Sequence, residues 1–357
     1  MSDQILPQAG PEGTPPARRR VVLVVCLILL LMSGVGAMAL FSKTLLSARP
    51  APTPSPMSRI AEFTVPLPDR SVWDIAAGSD GNLWFTEYNG GLGRITPTGT
   101  LTEFPLPIPD SRPQAITAGP DGNLWFIEGL RGQIGRITPS GQITEFSPYV
   151  ATEPEGHLQF YDDSDLTVGP DGALWFTDNH IARISLDGQI TEFPVQGGPP
   201  TGIAAGPDGN LWFTESCHFS CTNGEIGRIT PKGQITEFPL PIPDSLPTQI
   251  IAVPDGNLWF VDGQGFRIGR ITPSGQITEF TLPNPDSMVG RMTFGPDGNL
   301  WFTDQALGQL GRLTLAGSFS WFPLPTRAPD LRGITAGPAG TIWYTQYDRI
   351  GRLRIGT

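Results

Sequence analysis

The sequence predicts an all-β fold, a seven-bladed β-propeller of four-stranded antiparallel blades, on three observations. A Leu-Trp-Phe core recurs seven times, centred on Trp84, Trp125, Trp175, Trp212, Trp259, Trp301 and Trp343, the last copy reading Ile342-Trp343-Tyr344. Successive tryptophans lie from 37 residues (Trp175 to Trp212) to 50 residues (Trp125 to Trp175) apart, the period of a propeller blade. Each core is followed by a run like Ile134-Gly-Arg-Ile-Thr138, and six of the seven then by one like Ile143-Thr-Glu-Phe146. That outer motif also begins early, at Ile60-Ala61-Glu62-Phe63, and is missing after Arg352. The N-terminal strand is therefore predicted to complete the last blade, closing the ring and removing free sheet edges.

Composition fits a propeller. The 357 residues include 44 Gly and 38 Pro. They fall at fixed offsets, as turn punctuation between short β-branched and aromatic runs. The net charge is −11 and the basic residues are spread one or two per repeat. With no basic stripe, nucleic acid is not an expected partner.

In chain order, residues 1–20 are polar and end in Arg18-Arg19-Arg20, a predicted cytoplasmic tail. Residues 21–41 are apolar and long enough for a transmembrane helix. The arginines before them set the N-terminus inside and the propeller outside the cytoplasm. Ala37-Met38-Ala39 also fits a signal-peptide cleavage site, so secretion is the alternative to a membrane anchor. Residues 42–58 carry Pro50, Pro52, Pro54 and Pro56, a stiff extended spacer. Residues 59–357 are the propeller, expected to act as a monomer.

The second repeat shows the expected blade. Gln114 to Gly119 reads as the innermost strand, Leu124 to Glu128 as the second, Ile134 to Thr138 as the third and Ile143 to Phe146 as the outer one. Pro120-Asp121-Gly122 and Pro139-Ser140-Gly141 are tight turns with glycine where φ is positive. With the inner strand starting at the upper rim, both turns fall on the lower face. The inter-blade connections fall on the upper face, as do both large insertions, Ser147 to Asp165 and Ser216 to Glu225. Variable loops on a rigid frame make the upper face the expected binding surface.

With Gly119-Pro-Asp-Gly-Asn-Leu-Trp-Phe126, Ile-Gly-Arg-Ile-Thr and Ile-Thr-Glu-Phe-Pro-Leu-Pro in hand, the chain resembles the streptogramin B (virginiamycin B) lyases over roughly 60–357. The resemblance implies a magnesium-dependent lyase that linearises a cyclic depsipeptide by elimination, using a base and a cation that polarises the carbonyl. It also implies histidines at the start of the innermost strands of the last two blades, and acidic side chains near the last blade that hold the metal. In the same register this chain has Trp73, Gln114, Ser164, Thr201, Thr248, Gly290 and Arg332. Gly290 and Arg332 stand where the histidines are expected. Asp330 and Tyr347 are what remains for a metal, and magnesium belongs to the lyase reading alone. His157, His180 and His218 all map to loops.

Other signals carry two readings each. Glu87, Glu128, Asp178, Glu215, Asp262 and Asp304 close the second strands, with Gln346 breaking the series. They form either a carboxylate-lined mouth suited to a cation or polyamine, or pairs with the arginines of the third strands, Arg94, Arg136, Arg183, Arg228, Arg270, Arg312 and Arg352. Pairing is the expectation. The seven tryptophans are expected in the core. Phe160 and Tyr161, beside Asp162, Asp163 and Asp165, are a ligand lip, a calcium site without the glycine spacing of a recognised calcium loop, or a solvated loop. Cys217 and Cys221 are four apart and make a local disulfide if exported, or with His218 a metal group. The expectation is a propeller that binds a peptide, depsipeptide or glycan on its upper face. An active lyase and a structural surface protein are the alternatives.

Overall fold

The computed structural model describes residues 59–66, 71–146, 158, 160–216, 224–243, 245–262, 266–326 and 330–356. The predicted tail, membrane span and spacer, His157, His218 and the Cys217–Cys221 pair lie outside them. Among the described residues no helix is long and apolar enough to cross a membrane. Among the described residues, twenty-eight strands form seven antiparallel sheets of four, in blades that follow one another along the chain.

In the second blade the strands run Pro113–Ala118, Leu124–Glu128, Gln133–Ile137 and Ile143–Phe146. Gly119 leaves the expected inner strand because its N–H closes the turn on the Asn123 carbonyl at 2.7 Å. The seventh blade is completed by Ile60–Thr64, antiparallel to Arg349–Arg354, with Phe63 opposite Ile350. The predicted closure is what the fold uses.

The repeated motif explains how each blade holds its neighbour. Trp84, Trp125, Trp175, Trp212, Trp259, Trp301 and Trp343 are all at most 2% exposed. In six blades the indole N–H donates to the aspartate of the Pro-Asp-Gly or Ser-Asp-Gly turn, as from Trp125 to Asp121 at 3.1 Å. The seventh blade has Ala339 in that place, and Trp343 donates to Thr341 Oγ1 instead. Six indoles also stack on the phenylalanine of an outer strand, Trp125 on Phe146 at 5.3 Å between centroids, and Trp301 meets Phe322 tilted at 41°.

The expected pairing of strand-end acids with arginines is replaced by another. Arg94, Arg136, Arg183, Arg228 and Arg312 each pair with the turn aspartate of their own blade, Asp80, Asp121, Asp171, Asp208 and Asp297. The register dictates this. Arg94 lies opposite Trp84, whereas Glu87 lies opposite Gly91, three residues along the strand and so on the other face. The guanidinium sits over the indole (Arg136 over Trp125 at 5.4 Å) and reaches a lower turn of the next blade, as from Arg94 to the Pro139 carbonyl at 2.9 Å. Arg94, Arg136 and Arg228 thereby fasten blade to blade.

The strand-end acids are buried instead; Glu87, Glu128, Asp178, Asp262 and Asp304 have no exposed surface. Burial, then the nearby Glu145, pushes Glu128 up to about 7, against the pull of Ser111 and Arg131. Its native pKa lies above its unfolded one, so the folded state holds the proton more tightly and stability falls as pH rises through this window. Glu128→Gln is expected to stabilise the fold by about 1–2 kcal/mol at pH 8.5 and to do nothing near pH 4.5. Urea denaturation at the two pH values checks it; equal effects at both would refute the assignment.

Candidate functional site

Four of the seven innermost strands meet the upper rim through bulges. The register slips between Val72 and Ile75, Pro113 and Ile116, Pro200 and Ile203, and Val289 and Met292. A bulge breaks strict alternation and re-aims the residues inside it. As a result, two adjacent residues of a blade serve two different spaces.

The first space is an upper cavity of about 550 Å³ lined by Trp73, Asp162, Asp163, Thr248, Gln249, Met288, Val289, Gly290, Arg291, Gln305 and Arg332. The second, about 350 Å³, is the central channel below, lined by the innermost strands. Gln249 and Arg291 border both.

Between them lies a charged plug. Arg291 Nη1 is 3.6 Å from Asp165 Oδ1, with side-chain exposures of 18% and 15%. Asp74 is 8% exposed, and its Oδ2 accepts from the Ile116 N–H at 3.2 Å. Burial raises the pKa of Asp74 and of Asp165, and Arg291 pulls both back down. Burial works against the Arg291 charge, but Asp74, Asp165 and Asp163 outweigh it and hold the guanidinium protonated. Gln249 ties the same layer to blade six, accepting from the Met292 N–H at 2.6 Å and donating to the Met292 carbonyl.

Above the plug, the Arg332 guanidinium carbon sits over the Trp73 ring, 3.7 Å from its centroid, and Arg332 pairs with Asp330 at 3.1 Å. The other neighbour of Trp73 is Tyr88, stacked at 4.6 Å, and Arg112 caps Tyr88 at 5.3 Å. This aromatic and cationic stack sets the shape of one cavity wall.

Of the residues singled out from the register, Trp73, Thr248, Gly290 and Arg332 meet in the cavity. Gln114 is buried just behind it and donates to Asp162 at 3.2 Å. Ser164 and Thr201 are buried and committed: Ser164 Oγ accepts from the Tyr161 N–H, and Thr201 Oγ1 meets Thr214 Oγ1 at 2.8 Å. Phe160 packs edge-on against Phe176 in the blade core, and the exposed Tyr161 donates to Asn179 at 2.7 Å. His180, the one histidine among the described residues, sits in a turn where its N–H meets Asp178, and it does not line the cavity.

Asp74, Asp165, Gln249 and Arg291 were missed by the register reading because they stand one residue further on. The signal was present. Ala115, Gly202 and Gly333 fill that position in the other blades, so large polar groups there break a small-residue pattern.

The magnesium donors implied by the resemblance do not fit the ion. The Asp330 carboxylate already answers the Arg332 guanidinium, and Tyr347 offers only a phenol on a half-exposed ring. A hard dication needs several convergent oxygens, and one carboxylate shared with a fixed cation does not supply them.

Comparison with known proteins adds the lineage. Residues 54–164 and 158–357 match the family described as the Virginiamycin B lyase family. No curated protein sequence matches the chain. Among solved structures, selenomethionine-substituted virginiamycin B lyase from Staphylococcus aureus is 37% identical, with a TM-score of 0.73. The match covers 83% of this chain and 99% of that one. A streptogramin B lyase structure is 32% identical, with a TM-score of 0.74 over 83% of this chain and 97% of that one. A catalytically inactive histidine-to-alanine variant of the S. aureus enzyme with quinupristin is 36% identical, with a TM-score of 0.73 over 83% and 99%.

Proposed function

The chain belongs to the virginiamycin B lyase family, and on that premise we propose that its propeller binds a compact peptide-like ligand in the upper cavity without lyase turnover. The observation that carries this reading is Arg332, clamped between Trp73 and Asp330 where the resemblance calls for a histidine. A guanidinium stays protonated at any working pH and cannot accept a proton as a general base. It donates hydrogen bonds well, so it suits the carbonyl and carboxylate oxygens of a peptide or depsipeptide. Asp162 and Asp163 on the cavity lining suit donors on the same ligand.

We further propose that residues 21–41 anchor the chain, with the propeller outside the cytoplasm. The support is sequence alone: an apolar run preceded by Arg18-Arg19-Arg20. Membrane fractionation with protease shaving of intact cells is expected to find the propeller membrane-associated and cleavable from outside. A propeller protected from protease would end this part.

Quinupristin, named with the inactive S. aureus enzyme, is the first ligand to try. Incubation with magnesium, read by mass spectrometry and chromatography, is expected to leave the ring intact. Mass-neutral ring opening well above background, lost in Arg332→Ala, would instead establish a lyase on an altered constellation. Calorimetric binding is expected to weaken about tenfold or more in Trp73→Ala, which removes the surface that Arg332 rests on. Unchanged binding in that variant would place the ligand elsewhere.

A further inference from the structure

Six blades set an outer-strand glutamate across the third strand from the acid or amide that closes the second. In blade five these are Glu279 and Asp262, and Arg267 lies between them. Its Nε and Nη2 donate to Asp262 at 2.9 and 2.6 Å, and its Nε is 3.3 Å from Glu279. One cation therefore spans two carboxylates.

Blade four keeps the two carboxylates and reverses the charge between them. Glu215 pairs in register with Glu225, the position Arg267 holds opposite Asp262, and Glu237 takes the place of Glu279 opposite Gly227. One oxygen from each of the three glutamates lies within 4.8 Å of the others. Glu215 is 2% exposed, and among the described residues neither of its carboxylate oxygens has a hydrogen-bond partner. An ionised carboxylate left that way in a protein interior is costly unless something of opposite charge answers it. Glu225 is half-buried and Glu237 exposed, so the group opens to water on its outer side.

We infer that Glu215, Glu225 and Glu237 form a divalent-cation site, of calcium type, that takes the place of the guanidinium in blade five. Calcium accepts mixed monodentate and bidentate carboxylates in irregular geometry and completes its shell with water. The three oxygens fall within the roughly 5 Å that separates ligand oxygens on opposite sides of a calcium ion, and magnesium demands a near-ideal octahedron and gives up its water reluctantly. The site lies at the outer part of a blade and shares no residue with the upper cavity.

Calcium alone, titrated calorimetrically into the full chain and followed by thermal unfolding, tests the assignment. Calcium is expected to bind and raise the melting midpoint, with magnesium at least tenfold weaker. Glu225→Arg copies blade five, so it is expected to raise the midpoint without calcium and to abolish the calcium response. Glu237→Gln, at an exposed position that leaves folding intact, is expected to weaken calcium at least fivefold. Glu145→Gln, in the corresponding pair of blade two, is expected to leave calcium binding unchanged. The inference is overturned by absence of a calcium response in the unaltered chain. It is equally overturned by a response that survives Glu237→Gln undiminished, or by magnesium binding as tightly as calcium.

Discussion

Arg291→Met is expected to cost about 3–5 kcal/mol of folding stability at pH 7, among the largest effects of any single substitution in the channel. Arg291 is the cation between Asp74 and Asp165, and both carboxylates are nearly enclosed by the innermost strands. Removing it leaves two like charges in a poorly solvated space, each with a pKa that burial already raises. The sign of the pH dependence follows. Without Arg291 the native state takes up protons at these aspartates more readily than the unfolded chain, so stability recovers as pH falls. Urea denaturation is expected to show a deficit at pH 7 that shrinks toward pH 4.5. Adding Asp74→Ala and Asp165→Ala to Arg291→Met removes the stranded charge and is expected to return most of the loss. A deficit independent of pH would mean that lost packing, not charge, set the cost.

The second large effect is expected from deleting residues 60–64. Those five residues are the outer strand of blade seven, paired through Ile60–Leu353 to Thr64–Arg349. Phe63 stacks on Trp343 at 5.9 Å between centroids. Glu62 accepts from the Thr326 hydroxyl at 2.6 Å and from the Tyr344 hydroxyl at 3.4 Å. Without the strand, blade seven presents the backbone of Arg349–Arg354 as an open edge, the template for pairing with another chain. Thermal unfolding is expected to lose its single cooperative transition, and light scattering to show self-association. Phe63→Ala keeps the backbone pairing and removes one stacked ring, so it is expected to cost about 2–3 kcal/mol with cooperativity intact. A deletion variant that melts in one step and stays monomeric would show that the first and seventh blades hold each other without this strand.

Sequence and structure decided different parts of this protein, for one physical reason. The sevenfold motif alone specified the architecture, the antiparallel order within a blade and the closure by Ile60-Ala61-Glu62-Phe63. These depend on local pattern: alternation in the strands, glycine at positive φ in turns such as Gly122 and Gly141, and a tryptophan every blade. The same register located Trp73, Gly290 and Arg332 at the rim. It could not show that Trp73, from the first blade, would lie beneath Arg332, from the last, because ring closure brings the two ends of the propeller together. Nor could it show that Arg94 answers Asp80 and not Glu87, since that turns on which face of the pleat each side chain occupies. The Asp74–Arg291–Asp165 plug and the Glu215–Glu225–Glu237 group were likewise settled only in three dimensions. Charges from separate strands and separate blades converge there, and their energies depend on separation and burial, which a linear pattern does not contain.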